Sequence, residues 1–199
     1  MQLFLNATSP FARLARVVAL EKQLTPTLVW CDPWNNDPAL LAVHPQGRIP
    51  VLVTPEGHAL SESLLIAQYL DSAGSGAALV PATQSAAVLA HASVGYGVME
   101  AAFATVIGRK HEGASQDSSV MGARRLAALQ RGLVWLEKYP LAAVPHDTAT
   151  TLDQLVTAIA VEYVQFRLPQ LCTPAQYPAL CAWLEHAAQR PHLQNTAFA

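Results

Sequence analysis

Three short stretches in the first third of the chain carry residues able to hold charge. Ser9-Pro10-Phe11-Ala12-Arg13 reads as the start of a helix, with Ser9 at the cap and Pro10 in the first turn. Free N–H groups and the helix macrodipole favour negative charge there. A thiolate held nearby would be stabilised and its pKa lowered. Ser9 also serves as a plain N-cap. Gly47-Arg48-Ile49-Pro50-Val51 opens a strand with a residue that cannot donate a ladder hydrogen bond. A cis bond before Pro50 would turn the Ile49 N–H and C=O outwards, where a peptide ligand can pair with them as an added strand. The other reading is an ordinary trans proline at a strand start. Ser61-Glu62-Ser63 opens another helix. The Ser63 N–H and hydroxyl suit a carboxylate, and Glu62 suits an ammonium, so the pair matches the α-amino-acid end of a zwitterion. Helix capping accounts for the same residues.

A fourth stretch, Thr150-Thr151-Leu152-Asp153, is a T-x-x-D capping box and is assigned to folding. Other chemistries find no pattern. Gly74-Ser75-Gly76 lacks the third glycine of a dinucleotide fingerprint and follows no strand, and His111-Glu112 has no second histidine for a zinc site. Cys31, Cys172 and Cys181 have no ligand spacing, and so sparse a count fits a reducing compartment. The seven histidines, at 44, 58, 91, 111, 146, 186 and 192, are scattered.

The elements that must position these residues follow from periodicity. Residues 2–5 form an apolar strand, and Phe11, Leu14, Ala15 and Val18 recur at helical spacing. Residues 25–30 are β-rich, 37–43 a short helix, and 50–53 a strand. Thr54-Pro55-Glu56-Gly57 is a turn by composition, and 58–60 return antiparallel. A helix over 61–71 follows. The order β-α-β-α-β-β-α describes a small mixed sheet covered by helices. Beyond Ser72-Ala73-Gly74-Ser75-Gly76 the signals are helical only: 84–110 (weakened by Gly95 and Gly97), 118–138, 152–167 and 177–189. The expected organisation is a domain over 1–73, a linker over 74–83 and an all-α domain over 84–199.

Composition narrows the function classes. Hydrophobic residues make up 52% of the 199, which excludes disorder and collagen-like order. Charged residues are only 13%, and a subunit interface would relieve so weakly polar a surface. Twelve Lys and Arg against fourteen Asp and Glu give a net charge of −2 with no basic stripe, which argues against nucleic acid. Met1-Gln2-Leu3-Phe4-Leu5-Asn6 lacks the charged region of a signal peptide, and the longest stretch without charge, 72–99, is broken by Gly74, Gly76 and Pro81. The expectation is a cytoplasmic protein without a membrane span.

Taken together, Ser-Pro-Phe-x-Arg, Gly-Arg-Ile-Pro-Val and Glu-Gly-His-Ala-Leu-Ser-Glu-Ser-Leu-Leu-Ile-Ala-Gln-Tyr-Leu resemble the glutathione S-transferase family. The likeness is closest to short bacterial members whose first helix begins Ser-Pro-Phe, and the Thr-x-x-Asp box before an apolar helix extends it into the carboxyl half. The resemblance implies a thioredoxin-like amino-terminal domain, an α-helical carboxyl domain that forms the electrophile pocket, and a homodimer. It implies a detoxifying transferase that uses glutathione as co-substrate, without a metal, and conjugates it to a small electrophile. Ser9 matches the catalytic position and would donate to the glutathione sulfur, with Thr8 as the neighbouring alternative. Ile49 would pair with the cysteinyl unit beside a cis Pro50. Glu62 and Ser63 would hold the γ-glutamyl end. Asn35, Asn36, Gln46 and Arg48 are candidates for the glycine carboxylate. Two departures stand out: Ser9 occupies the position where some relatives carry cysteine, which argues against thiol–disulfide exchange, and His44-Pro45-Gln46-Gly47 stands where many have Asn-Pro-x-Gly. The alternative function is a glutathione-binding or protein-interaction module with little or no transferase activity.

Overall fold

The structure is a computed structural model that describes all residues except 144, 146, 147 and 199; His146 therefore lies outside the described residues. It divides into two compact units, one of Met1–Leu79 with His192–Ala199 and one of Val80–Pro191.

The first unit is thioredoxin-like. Its strands are β1 (Gln2–Leu5), β2 (Thr27–Trp30), β3 (Val51–Val53) and β4 (Ala59–Ser61), in the sheet order β2-β1-β3-β4. The β1–β2 pair is parallel, and β3 is antiparallel to both β1 and β4. The helices are α1 (Pro10–Glu21), α2 (Pro38–Val43) and α3 (Ser63–Ala73). Helix α1 buries Leu14, Val17 and Val18, and α3 buries Ile66 and Leu70, so both turn an apolar stripe inwards. Helix α2 inserts Leu40 into a cluster with Phe4 and Val51.

Two polar staples hold α1. At its carboxyl end, the buried Lys22 ammonium lies 2.9 Å from the Asp71 carboxylate of α3 and donates to the Ala77 carbonyl at 2.9 Å. A Cβ added at Gly74 would stand 2.5 Å from both Lys22 Cβ and its carbonyl oxygen, so only glycine lets the chain pass so close. In the first turn of α1, the buried Arg13 donates to the Leu193 carbonyl at 3.1 Å and faces the Phe198 ring at 4.4 Å. His192 Nδ1 stands 3.1 Å from Glu21 Oε1. The chain from His192, within the short helix α8 (Pro191–Gln194), thereby belongs to the first unit.

The second unit is helical among its described residues: α4 (Ser85–Glu112), α5 (Val120–Lys138), α6 (Leu152–Arg167) and α7 (Pro178–Ala187). Helix α6 is buried almost throughout, from Leu152 to Val164. The span Ala82–Glu112 is long and apolar enough to cross a membrane by length and composition. Within this fold α4 is the helix against which α5 and α6 pack. Gly95 does not weaken it. A Cβ there would meet Thr157 Oγ1 at 3.0 Å and Thr157 Cα at 3.3 Å, so the glycine permits the close approach of α6. The Thr150–Asp153 capping box is not formed. Thr151 precedes the helix without a side-chain cap bond, the Thr150 hydroxyl donates to Gln154 Oε1 at 2.9 Å, and Asp153 accepts from the Gln154 N–H at 3.0 Å. Helix α6 starts at Leu152, one residue later than the box requires, so the donors fall out of register. Helix α7 is capped from α5 instead, since Glu137 accepts the Ala179 and Leu180 N–H groups at 3.0 and 2.8 Å.

Burial also sets an alkaline limit. It pushes the Cys172 thiol up to about 12 from an ordinary 9.0, with Cys181 adding to the effect, and the Tyr163 phenol up to about 12 from 10.0. Both groups stay neutral in the folded unit and ionise earlier in the unfolded chain. The stability they contribute is complete below about pH 9 and is lost as pH rises towards 12. Melting temperatures should fall between about pH 9 and pH 11, and less steeply in Cys172→Ala. A melting temperature that stays level across that range contradicts the assignment.

Candidate functional site

The strand register brings the charge-handling stretches to one end of the sheet. Phe4, Val51 and Ser61 form one row, Phe4 opposite Val51 and Val51 opposite Ser61. Strands β1 and β4 run in the same direction and β3 runs against them. The chain therefore leaves β1 towards Ser9, enters β3 from Ile49-Pro50 and leaves β4 into Glu62-Ser63 at that same end. Strand β2 is parallel to β1 and leads to Trp34, Asn35 and Asn36 there as well. Ends of strands that feed helix amino termini are where open α/β sheets bind ligands.

Ser9 is the N-cap of α1, and its Oγ accepts from the Ala12 N–H at 3.2 Å. The cap occupies a lone pair and leaves the hydroxyl hydrogen able to donate elsewhere, so capping and sulfur binding are compatible. Asn6 Oδ1 fixes the turn ahead of the helix, accepting from the Thr8 and Ser9 N–H groups at 3.2 and 2.8 Å. Pro10 at the first helical position removes an N–H that would have had no partner.

The Ile49–Pro50 bond is cis. Among the described residues, nothing hydrogen-bonds the Ile49 N–H. Glu62 has φ 66° and ψ 113°, a backbone that non-glycine residues adopt at a cost of about 1–3 kcal/mol. Ser61, expected as the first helical residue, is instead the last of β4, and the turn at Glu62 separates strand from helix. Ser63, the first residue of α3, is buried. The exposed Glu62 carboxylate lies 3.7 Å from the Arg48 guanidinium. Of the other candidates for a carboxylate, the Asn35 amide is committed to Asp32 at 2.7 Å, while Gln46 is exposed. At Cys31, burial, reinforced by Asp37, raises the thiol pKa, and the Sγ donates to the Leu5 carbonyl at 3.7 Å. Among the described residues no group of three or more His, Cys, Asp or Glu could hold a metal ion.

The sequence reading missed His44. Its ring is buried and its Nδ1 accepts the Arg48 N–H at 3.3 Å. The signal was available, since His44 is where the pattern departs from Asn-Pro-x-Gly.

Comparison with known proteins bears on the family and the fold. The family model described as glutathione S-transferase, N-terminal domain, matches residues 8–73. The chain is 30% identical over 169 residues to the Escherichia coli (strain K12) protein described as uncharacterized GST-like protein YibF, covering 84% of this chain and 83% of that one. It is similar to the solved structure of a glutathione S-transferase from Methylobacillus flagellatus KT with GSH bound, with a TM-score of 0.87 and 28% identity over 100% of this chain and 99% of that one. A glutathione transferase family member from Pseudomonas fluorescens Pf-5, with bound glutathione, gives 0.84 and 26% over 100% and 98%. By these matches and its own sheet and helices, the chain belongs to the glutathione S-transferase family.

Proposed function

We propose that the protein is a glutathione transferase. It binds glutathione at the shared end of the sheet, and its thiolate attacks a small, apolar electrophile. The observation that carries this reading is the Phe4–Val51–Ser61 row, which brings two helix amino termini and the Ile49–Pro50 segment together. The glutathione held by the Methylobacillus and Pseudomonas relatives supports it. Ser9 donates to the sulfur, Ile49 pairs with the cysteinyl backbone beside Pro50, and Glu62 and Ser63 hold the γ-glutamyl ammonium and carboxylate. Residues 84–199 supply the electrophile's site. The 13% charged content and the exposed Leu65, Val120 and Met121 support a homodimer, and the sparse cysteines support action in the cytoplasm.

Calorimetry with glutathione, followed by turnover on aryl halides, epoxides and enones, tests the proposal. Saturable binding and conjugation are expected. Binding without turnover on any of them would make the protein a glutathione-binding module. No binding at millimolar glutathione would overturn the site itself.

Glu62 offers a sharper check. Glu62→Gly removes the ammonium partner and relieves the positive φ. The exposed Arg48–Glu62 pair contributes little to stability. Affinity for glutathione should fall about tenfold, one charge-assisted bond, while the melting temperature holds or rises. Unchanged affinity removes Glu62 from the site.

A further inference from the structure

The loop between α2 and β3 is bracketed at its start. The His44 N–H donates to the Leu40 carbonyl at 2.8 Å, and Leu40 is fully buried against Phe4 and Val51. The His44 carbonyl accepts from the Gly47 N–H at 3.0 Å. Gly47 has φ 62°, and a Cβ there would stand 3.1 Å from Leu41 Cδ2. The His44 ring closes the loop by accepting the Arg48 N–H. The next residue is Ile49, packed beside the same Leu40 cluster.

A backbone N–H can only donate, so His44 Nδ1 must present its lone pair and the proton must sit on Nε2. Nδ1 is as many bonds from the backbone as the Oδ1 of an asparagine. The ring thus closes a side-chain-to-backbone turn to the N–H four residues on, with a side-chain acceptor at the reach of an asparagine oxygen. From this we infer that His44 is a positioning residue for glutathione: its Nε2–H tautomer fixes the Gly47–Arg48 peptide, the unit just before the one that carries the Ile49 N–H, so that the Ile49 N–H and C=O face the cysteinyl unit. The inference rests on the reading of this end of the sheet as the glutathione site. His44 touches neither sulfur nor electrophile, so it governs affinity and leaves the chemical step alone.

Long-range ¹H–¹⁵N spectra of the intact protein test the tautomer without ligand. Nδ1 should resonate as an unprotonated, pyridine-type nitrogen and Nε2 as a protonated, pyrrole-type one. A proton on Nδ1 overturns the inference, whatever glutathione does. Two variants test the role. His44→Asn retains the acceptor, and its KM for glutathione should stay within about threefold of the parent. His44→Phe retains the ring without the acceptor, and its KM should rise about tenfold, as expected for an N–H left without a partner, with kcat unchanged. Equal loss in both variants, no loss in His44→Phe, or a fall in kcat alone would each refute the role. If the parent fails to bind glutathione, the functional reading falls, while the spectra still decide the tautomer.

Discussion

Replacing Ser9 with alanine is expected to raise the thiol pKa of bound glutathione by about one to two units and to lower turnover about 10–100-fold at neutral pH. The hydroxyl hydrogen is the group removed. A charge-assisted hydrogen bond is worth about 1.5–3 kcal/mol, and a shift of one to two units needs about 1.4–2.7 kcal/mol. The helix amino terminus remains in the variant, so part of the thiolate stabilisation survives. Losing the cap costs a further ~1 kcal/mol of stability, which melting curves separate from the effect on the sulfur. Ser9→Thr retains the hydroxyl and should recover most of the activity. The titration of bound thiolate by ultraviolet absorbance is the deciding measurement. If Ser9→Ala leaves that pKa in place while Thr8→Ala raises it, the donor is Thr8.

The second large effect concerns folding. Lys22→Met is expected to destabilise the protein by about 3 kcal/mol, the lower end of the range for breaking a buried ion pair. The variant keeps the aliphatic stem and removes the charge. Asp71, one-fifth exposed at its side chain, loses its cation, and the Ala77 carbonyl loses a donor. Asp71 also accepts the Leu79 N–H at 3.0 Å, so the segment after Gly74 loosens with it. The melting temperature should drop by about 6–12 °C. Removing both charges, in Lys22→Met with Asp71→Leu, should restore part of the loss. A single variant within half a kcal/mol of the parent, roughly the scale of ordinary surface changes, refutes the assignment.

Much of this architecture was readable from residue order. The alternation of apolar strand and amphipathic helix over the first 71 positions matches the observed β-α-β-α-β-β-α, because each element presents one apolar face to one core. Glu62 shows where such reading stops. The helix is expected from Ser61, but Ser61 pairs with Val51 and Glu62 turns through a positive φ that only glycine would announce. Gly95 fails in the opposite sense: local propensity counts it against α4, whereas the nearness of Thr157 requires it. The partners of Arg13 lie 180 positions away, and nothing local to either stretch marks the pairing. His44 was visible as an odd residue in a familiar place, but its role needed the ring's orientation.

The attachment of residues 192–198 to α1 has a consequence for biosynthesis. The whole of Val80–Pro191 lies between the bulk of the first unit and the piece that completes it. On the ribosome, Arg13 must therefore wait through 180 further rounds of peptide-bond formation before Leu193 is added. Domains generally mature from the amino terminus during translation. Here the nascent amino-terminal half stays unlatched until the later one has been made, so a stalled or truncated product would carry that half without its clasp.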